Sequence, residues 1–284
     1  MKKVLVTGGN GQLGLCIKSL EKDLGIDNQF IYLTSKEMDV TNAESINTAI
    51  ASHNPSYIIN CAAYTAVDKA ETEKEATYLV NATGPELLAK ACKNKNIVLI
   101  HISTDFVFGD TRPLPLTEDM ETTPTGVYGA SKLAGEKHIT ENMSDYFIIR
   151  TSWLYSEFQN NFLKTMLRLG NEKDEVSVVY DQAGTPTYAV DLAEFIYHII
   201  NTDSTKFGLY HYSNEGVASW YDFAFEIFKL NGIKINLKPI TSDKFPTAVK
   251  RPNYSVMAKD KVKDNFNVTV KHWTTSVADC LTKI

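Results

Sequence analysis

The 284-residue chain lacks the features that mark several protein classes. No apolar run approaches the ~18 residues a spanning helix needs. The lysine pair at Lys2 and Lys3 is followed by only Val4, Leu5 and Val6 before a Gly-rich turn, too short for the core of a signal peptide. The four cysteines, Cys16, Cys61, Cys92 and Cys280, form no Cys-x-x-Cys. The six histidines show no metal-ligand spacing, so no zinc or other metal site is expected. A formal net charge of −5 leaves no basic excess for nucleic acid or an anionic membrane. No internal repeat and no low-complexity segment is visible. Together these absences predict a reduced, cytoplasmic, globular protein.

The first two-thirds alternates short β-branched runs with amphipathic stretches. Strands are predicted at Val4–Thr7, Phe30–Leu33, Tyr57–Ala62, Ile97–Ser103 and Phe147–Ser152, and helices at Gln12–Leu24, Ala43–Ser52, Glu75–Lys93 and Tyr128–Glu141. Strands apolar on both faces and separated by helices imply a parallel sheet covered on both sides. The expected fold is α/β, a Rossmann-like doubly wound sheet with a smaller C-terminal substrate-binding lobe. Residues 1–153 form the dinucleotide-binding domain, and 154–284 form mainly the lobe, partly interleaved with it. In the lobe, helices are predicted at Asn160–Leu169, Val190–Ile200 and Ser219–Leu230, and strands at Val176–Tyr180 and Leu209–Tyr212. Lys238–Tyr254 holds Pro239, Pro246 and Pro252 and shows little periodicity.

Gly8-Gly9-Asn10-Gly11-Gln12-Leu13-Gly14 lies between the first strand and the first helix. Gly8 can make the tight turn, Gly11 lets backbone approach a pyrophosphate, and Gly14 lets the helix pack on the sheet. The helix start adds N–H groups and a positive dipole end. Asn10, Gln12 and Leu13 complete this cofactor loop. No acidic residue ends the second strand. Ser35 and Lys36, with Thr34, could instead receive a 2′-phosphate, which favours NADPH over NADH while leaving NADH usable. Asp39 and Val40 follow and flank the adenine.

Tyr128-Gly129-Ala130-Ser131-Lys132 puts a phenol and an ammonium on one helix face. Ketone reduction needs a proton donor beside the carbonyl, and a neighbouring cation draws a phenol toward neutrality. The spacing alone is close to chance with 14 tyrosines and abundant lysine, and Tyr32 with Lys36 repeats it. Tyr128 has the better context, because a strand upstream ends in Ser103-Thr104-Asp105 at the ligand edge of the sheet. The Thr104 hydroxyl there can bond the same carbonyl oxygen.

These segments resemble the dTDP-4-dehydrorhamnose reductase family of extended short-chain dehydrogenase/reductases. The similarity runs almost end to end through GGNGQLG, NCAAYTAVDKAE (60–71), Asn81-Ala82-Thr83-Gly84, STDFVFGD (103–110), YGASK (128–132), RTSWLY (150–155), DQAGTPTYAVDLA (181–193), the SWYDFA run (219–224) and RPNYSV (251–256). It implies reduction of the C4 ketone of dTDP-4-dehydro-L-rhamnose by NAD(P)H, in the supply of dTDP-L-rhamnose for cell-surface polysaccharide. Tyr128 would give the proton, Lys132 would lower the tyrosine pKa and hold the nicotinamide ribose, and Thr104 would bond the carbonyl. The resemblance places Ala62, Ala63, Tyr64, Thr65 and Ser103 against the cofactor. Val67, Asp105, Phe106 and Trp153 would line the sugar site, and Arg251 would meet the diphosphate.

The chain departs from the family pattern in two places. Phe106 stands where many members carry tyrosine. Leu15 and Val190 stand where some members carry the acidic residues of a magnesium-bridged dimer, with Asp191 one residue displaced. A monomer or weak homodimer without bridging metal is therefore expected. Two other functions fit the same motifs: another nucleotide-sugar reductase or epimerase, and a non-catalytic regulatory subunit.

Overall fold

A computed structural model describes residues 1–24, 28–109 and 113–284. Asp110, which closes the STDFVFGD segment, lies outside the described residues. Six strands form the central sheet: β1 (Lys3–Thr7), β2 (Gln29–Leu33), β3 (Tyr57–Asn60), β4 (Val98–Thr104), β5 (Tyr146–Thr151) and β6 (Gly208–His211). Their spatial order is β6-β5-β4-β3-β1-β2, and every pairing is parallel. The doubly wound α/β expectation holds.

Side chains of a strand alternate between faces, so one strand feeds two cores. Val4 and Val6 of β1 join Ile59, Ile100 and Ile149 under the helices α1 (Gln12–Leu24) and Ala189–Asn201. Leu5 joins Ile58, Leu99 and Ile148 under α2 (Ala43–His53), α3 (Gly84–Lys93) and α4 (Val127–Asn142). The chain order reverses at β1, which lies between β2 and β3. That reversal opens a crevice at the carboxyl ends of β1 and β3, where ligands of such sheets bind.

Three elements differ from the expectation. The predicted helix over Glu75–Lys93 is broken into Lys74–Tyr78, a π-helical turn at Leu79–Thr83, and α3. Pro85 sits in the first turn of α3, has no N–H to give the carbonyl of Asn81, and its ring crowds that carbonyl. The turn widens, and Gly135 of α4 closes over the Asn81 oxygen, where a side chain would collide. The strand expected at Leu209–Tyr212 runs Gly208–His211 and returns to the central sheet beside β5. Within the stretch expected to be irregular, Asn236–Ile240 pairs in parallel with Glu175–Val179. Pro239 is tolerated there because the strand lies at an edge.

A buried ion pair fixes α4 on this sheet. Arg150 of β5 donates from Nε to Glu136 Oε1 (2.9 Å) and from Nη2 to Glu136 Oε2 (2.6 Å), with the side chains only 4% and 5% exposed. Ser103 of β4 donates to the same carboxylate at 2.5 Å. The guanidinium also lies over the Phe108 ring, 5.0 Å from its centroid. Removing one partner strands the other charge in a dry interior. Arg150→Met should therefore lower the unfolding free energy by roughly 3–5 kcal/mol in urea titration. Lys229→Met, which breaks an exposed pair with Glu226, should change it by less than about 1 kcal/mol. Equal losses from the two variants would contradict the role given to the buried pair.

Candidate active site

The Gly-rich loop forms the floor of the crevice. Gly8 has φ +62°, and a Cβ there would meet the backbone nitrogen of Ala62 at 2.9 Å. The loop is closed by Gly11 N–H donating to Gly8 O (2.8 Å), and α1 starts at Gln12. Such a glycine floor under a helix start fits a dinucleotide pyrophosphate. The side chain of Gln12 is committed elsewhere, donating to Leu154 O and accepting from Asn161 Nδ2. Asn10 accepts from Gln159 Nε2 through its carbonyl, and Leu13 is buried.

At the end of β2, Ser35 and Lys36 are exposed. The nearby acid, Glu37, folds back and accepts from Thr34 N and Oγ1, both at 2.8 Å. Those bonds hold its carboxyl below the usual range. Asp39 likewise accepts from Thr41, and Val40 is buried against Gly84. After β3, Ala62, Ala63, Tyr64 and Thr65 run along the other wall. Asn81, from the π turn, clamps Tyr64 at both ends, accepting from its N–H (2.8 Å) and donating to its C=O (3.0 Å). The Tyr64 hydroxyl points away to Glu73.

Asn81 Nδ2 also reaches Ser131 Oγ (3.1 Å), and Ser131 donates to the Tyr128 carbonyl (2.8 Å). One amide thus ties the cofactor wall to the turn carrying Tyr128 and Lys132. Gly129 lets that turn press against the Asp105–Val107 turn, since a Cβ would run into the Phe106 carbonyl. The phenol is pushed up to about 12 by burial, opposed by its hydrogen bond with the Thr104 hydroxyl and reinforced by the Asp105 charge. Lys132 is buried and donates to Ile102 O at 2.6 Å. Burial pulls its ammonium down to about 8, against the favourable charge of Glu136. The expected drop of the tyrosine toward neutrality is thus not built into the protein alone: desolvation outweighs it, and the phenol stays protonated at neutral pH. The Ser103 hydroxyl, expected against the cofactor, donates to Glu136.

A cavity of about 480 Å³ opens at Phe106, whose ring packs on Tyr128. Asp105, Phe106, Trp153 and Arg251 all line it. The Phe106 ring stands edge-on to Tyr128, 5.6 Å between centroids. Asp105 is buried, and burial pushes its carboxyl up to about 6 against hydrogen bonds from Ser255 and Thr104. Trp153 has φ +48°, a conformation strained for a bulky residue, and this turns its ring over Gly184. Arg251 is paired with Asp68 (2.9 Å) and lies over Phe106. Val67 opens the short helix Val67–Ala70 beside Asp68 and does not line the cavity.

The family model described as the RmlD substrate binding domain matches residues 1–284. The dTDP-4-dehydrorhamnose reductase of Escherichia coli is 39% identical over 99% of this chain and 97% of its own. A dTDP-4-dehydrorhamnose reductase structure from Clostridium acetobutylicum, 40% identical, covers 99% of both chains with a TM-score of 0.95. One from Bacillus anthracis in complex with NADP, 39% identical, covers 100% of this chain and 99% of that one, also with a TM-score of 0.95. The chain belongs to the dTDP-4-dehydrorhamnose reductase family.

Within this reductase family member, several contributors were invisible to sequence reasoning. Trp220 stacks on Trp153 with centroids 3.6 Å apart and planes at 8°. It is the first residue of the helix Trp220–Leu230, whose start is fixed by a capping box between Ser219 and Asp222. The Ser-x-x-Asp pattern signals that helix start, but nothing local says that the indole meets Trp153. Asn81, Glu136 and Arg150 sit inside quoted or neighbouring segments, yet their roles depend on contacts across 14 to 50 positions.

The Lys132 titration gives a pH prediction. A lysine lowered to about 8 is an ammonium below that pH and loses its charge above it. The cation favours the phenolate that forms as Tyr128 gives up its proton. Ketone reduction should therefore hold its kcat/KM through neutral pH and fall above about 8. Lys132→Arg should remove that limb even at a reduced rate; a limb that survives in the variant belongs to another group.

Proposed function

We propose that this protein reduces the C4 ketone of dTDP-4-dehydro-L-rhamnose to dTDP-L-rhamnose with NADPH, accepting NADH less readily. The observation that carries this is the packing of Tyr128 on Phe106, which lines the Asp105–Trp153–Arg251 cavity, with the Thr104 hydroxyl bonded to the phenol and Lys132 one turn on in the same helix. When bound, the nicotinamide supplies the hydride to the carbonyl carbon.

The protein's residues do the rest. Tyr128, protonated at neutral pH, gives its proton to the carbonyl oxygen, and the Thr104 hydroxyl holds that oxygen as charge develops. Lys132 favours the phenolate left behind. Phe106, Trp153 and Trp220 offer apolar faces to the ligand, while Asp105 and Arg251 supply polar contacts. Ser35 and Lys36, exposed after β2, are the groups expected to receive a 2′-phosphate. We read residues 1–153 as the cofactor domain and 154–284 as mainly the substrate lobe, with Ala189–Asn201 and Gly208–His211 lending support to the first. Turnover is expected with purified protein, NADPH and this substrate. Tyr128→Phe should cut kcat by roughly 10²–10⁴-fold while cofactor binding, followed by fluorescence, persists. Absence of turnover with active coupling enzymes would sink the substrate assignment; unchanged turnover in the variant would sink only the tyrosine's role.

We also infer a cytoplasmic enzyme working as a monomer or weak homodimer without bridging metal. No helix among the described residues is long and apolar enough to cross a membrane. Asp191, the nearest acid to the family's bridging position, is buried and accepts from Asn214 Nδ2 (2.6 Å) and Ser276 Oγ (2.5 Å), with Lys271 at 3.0 Å. Its carboxylate is committed to holding its own lobe together. Treatment with a chelator should leave both activity and sedimentation behaviour unchanged, and loss of either would refute the metal-free state.

A further inference from the structure

Beneath Lys132 runs a line of buried polar side chains that the reaction above does not use. Ala62 N–H donates to Thr7 Oγ1 (3.3 Å), and Thr7 Oγ1–H donates to Asn60 Oδ1 (2.7 Å). Asn60 Nδ2 meets His101 Nδ1 at 3.0 Å, and His101 Nε2 meets Lys132 Nζ at 3.3 Å. Thr7, Asn60, His101 and Lys132 are each no more than 2% exposed, so their mutual bonds decide their protonation. The line ends on a backbone amide, which does not pass protons on. It therefore orients rather than conducts.

The wiring can be traced from its closed end. Thr7 Oγ1 accepts the Ala62 N–H and donates its own hydrogen to Asn60 Oδ1. The Asn60 NH₂ then faces His101 Nδ1, which must accept. A neutral imidazole accepting at Nδ1 carries its proton on Nε2. That N–H points at Lys132 Nζ, where it can donate only to the lone pair of a neutral amine. An ammonium would face it hydrogen to hydrogen. To hold an ammonium, the imidazole must move its proton to Nδ1 and the Asn60 amide must turn over, which leaves the Thr7 hydrogen without its acceptor.

We propose that His101, wired through Asn60 to Thr7, is a positioning residue that holds Lys132 toward its neutral form and so sets the upper pH limit of the reaction. The other groups facing Lys132 act differently. Ile102 O accepts from it in either state, the Glu136 carboxylate from its own helix favours the charged form, and the Cys61 thiol after β3, pushed up to about 12 by burial, stays neutral. Burial leaves His101 far below its ordinary range, so it stays neutral and acts only through its tautomer. A lysine kept near neutrality in this way can return a proton to the Tyr128 phenolate, leaving Tyr–OH and the neutral amine that the Nε2–H then stabilises. The catalytic half of this inference rests on the reductase assignment; the tautomer half does not.

Nitrogen NMR on the full chain labelled with ¹⁵N-histidine tests the tautomer without any substrate, with His101→Gln identifying the resonance. The expected result is a neutral His101 throughout, protonated on Nε2 above the Lys132 titration and on Nδ1 below it. A fixed tautomer, or an imidazolium, would overturn the proposal. Kinetics give the second arm. His101→Gln can present a carbonyl to the ammonium, and Asn60→Asp makes His101 carry its proton on Nδ1. Both should move the alkaline limb of kcat/KM upward by about one pH unit. A limb that stays in place in both variants, whatever their rates, would refute the control of Lys132 by His101.

Discussion

Everything in the site depends on holding α4 hard against the sheet while keeping water out from beneath it. The Glu136–Arg150 pair does this at one turn past Lys132, and Ser103 extends the clamp to β4. Two glycines of the same helix, Gly129 and Gly135, remove the side chains that would hold it away from the Phe106 and Asn81 carbonyls. A buried ion pair of this kind costs desolvation energy that an apolar pair would not. Its return here is placement: the carboxylate that pairs with Arg150 also favours the charge on Lys132.

The same close packing explains why the catalytic groups titrate as they do. Desolvation is the largest influence on Tyr128, Lys132 and Asp105, and it acts on acid and base in opposite directions. The phenol is driven to its protonated form, which is the form a ketone reduction needs. The ammonium is brought close to neutral pH. Neither outcome follows from the Tyr-x-x-x-Lys spacing, which by itself argues for a lowered phenol.

What was legible in the sequence was mostly periodic or glycine-coded. The alternation of strands and helices gave the parallel sheet, and the Gly8–Gly14 loop placed the crevice, because both signals are local. Thr104, Tyr128 and Lys132 could be named because one lies at a strand end and two lie on one helix face. Contacts made across the fold were not legible. The π turn at Leu79–Thr83 arises from Pro85 acting on Asn81, a pair four positions apart that helical periodicity alone treats as continuous. Ser103 looked free at its strand end because nothing local shows Glu136 one helix away. The return of Gly208–His211 to the central sheet could be suspected from its strand-like pattern, but its neighbour could not. Trp220 and His101 depend entirely on which elements pack against them.

The central claim is that this cleft brings a hydride donor and the Tyr128 proton to one carbonyl. It is tested most directly by following the atoms. With dTDP-4-dehydro-L-rhamnose and a nicotinamide cofactor deuterated on its transferring face, the product should carry one deuterium on C4 when the reaction is run in ordinary water. A product with no deuterium on C4, its new hydrogen drawn from solvent, would contradict the account.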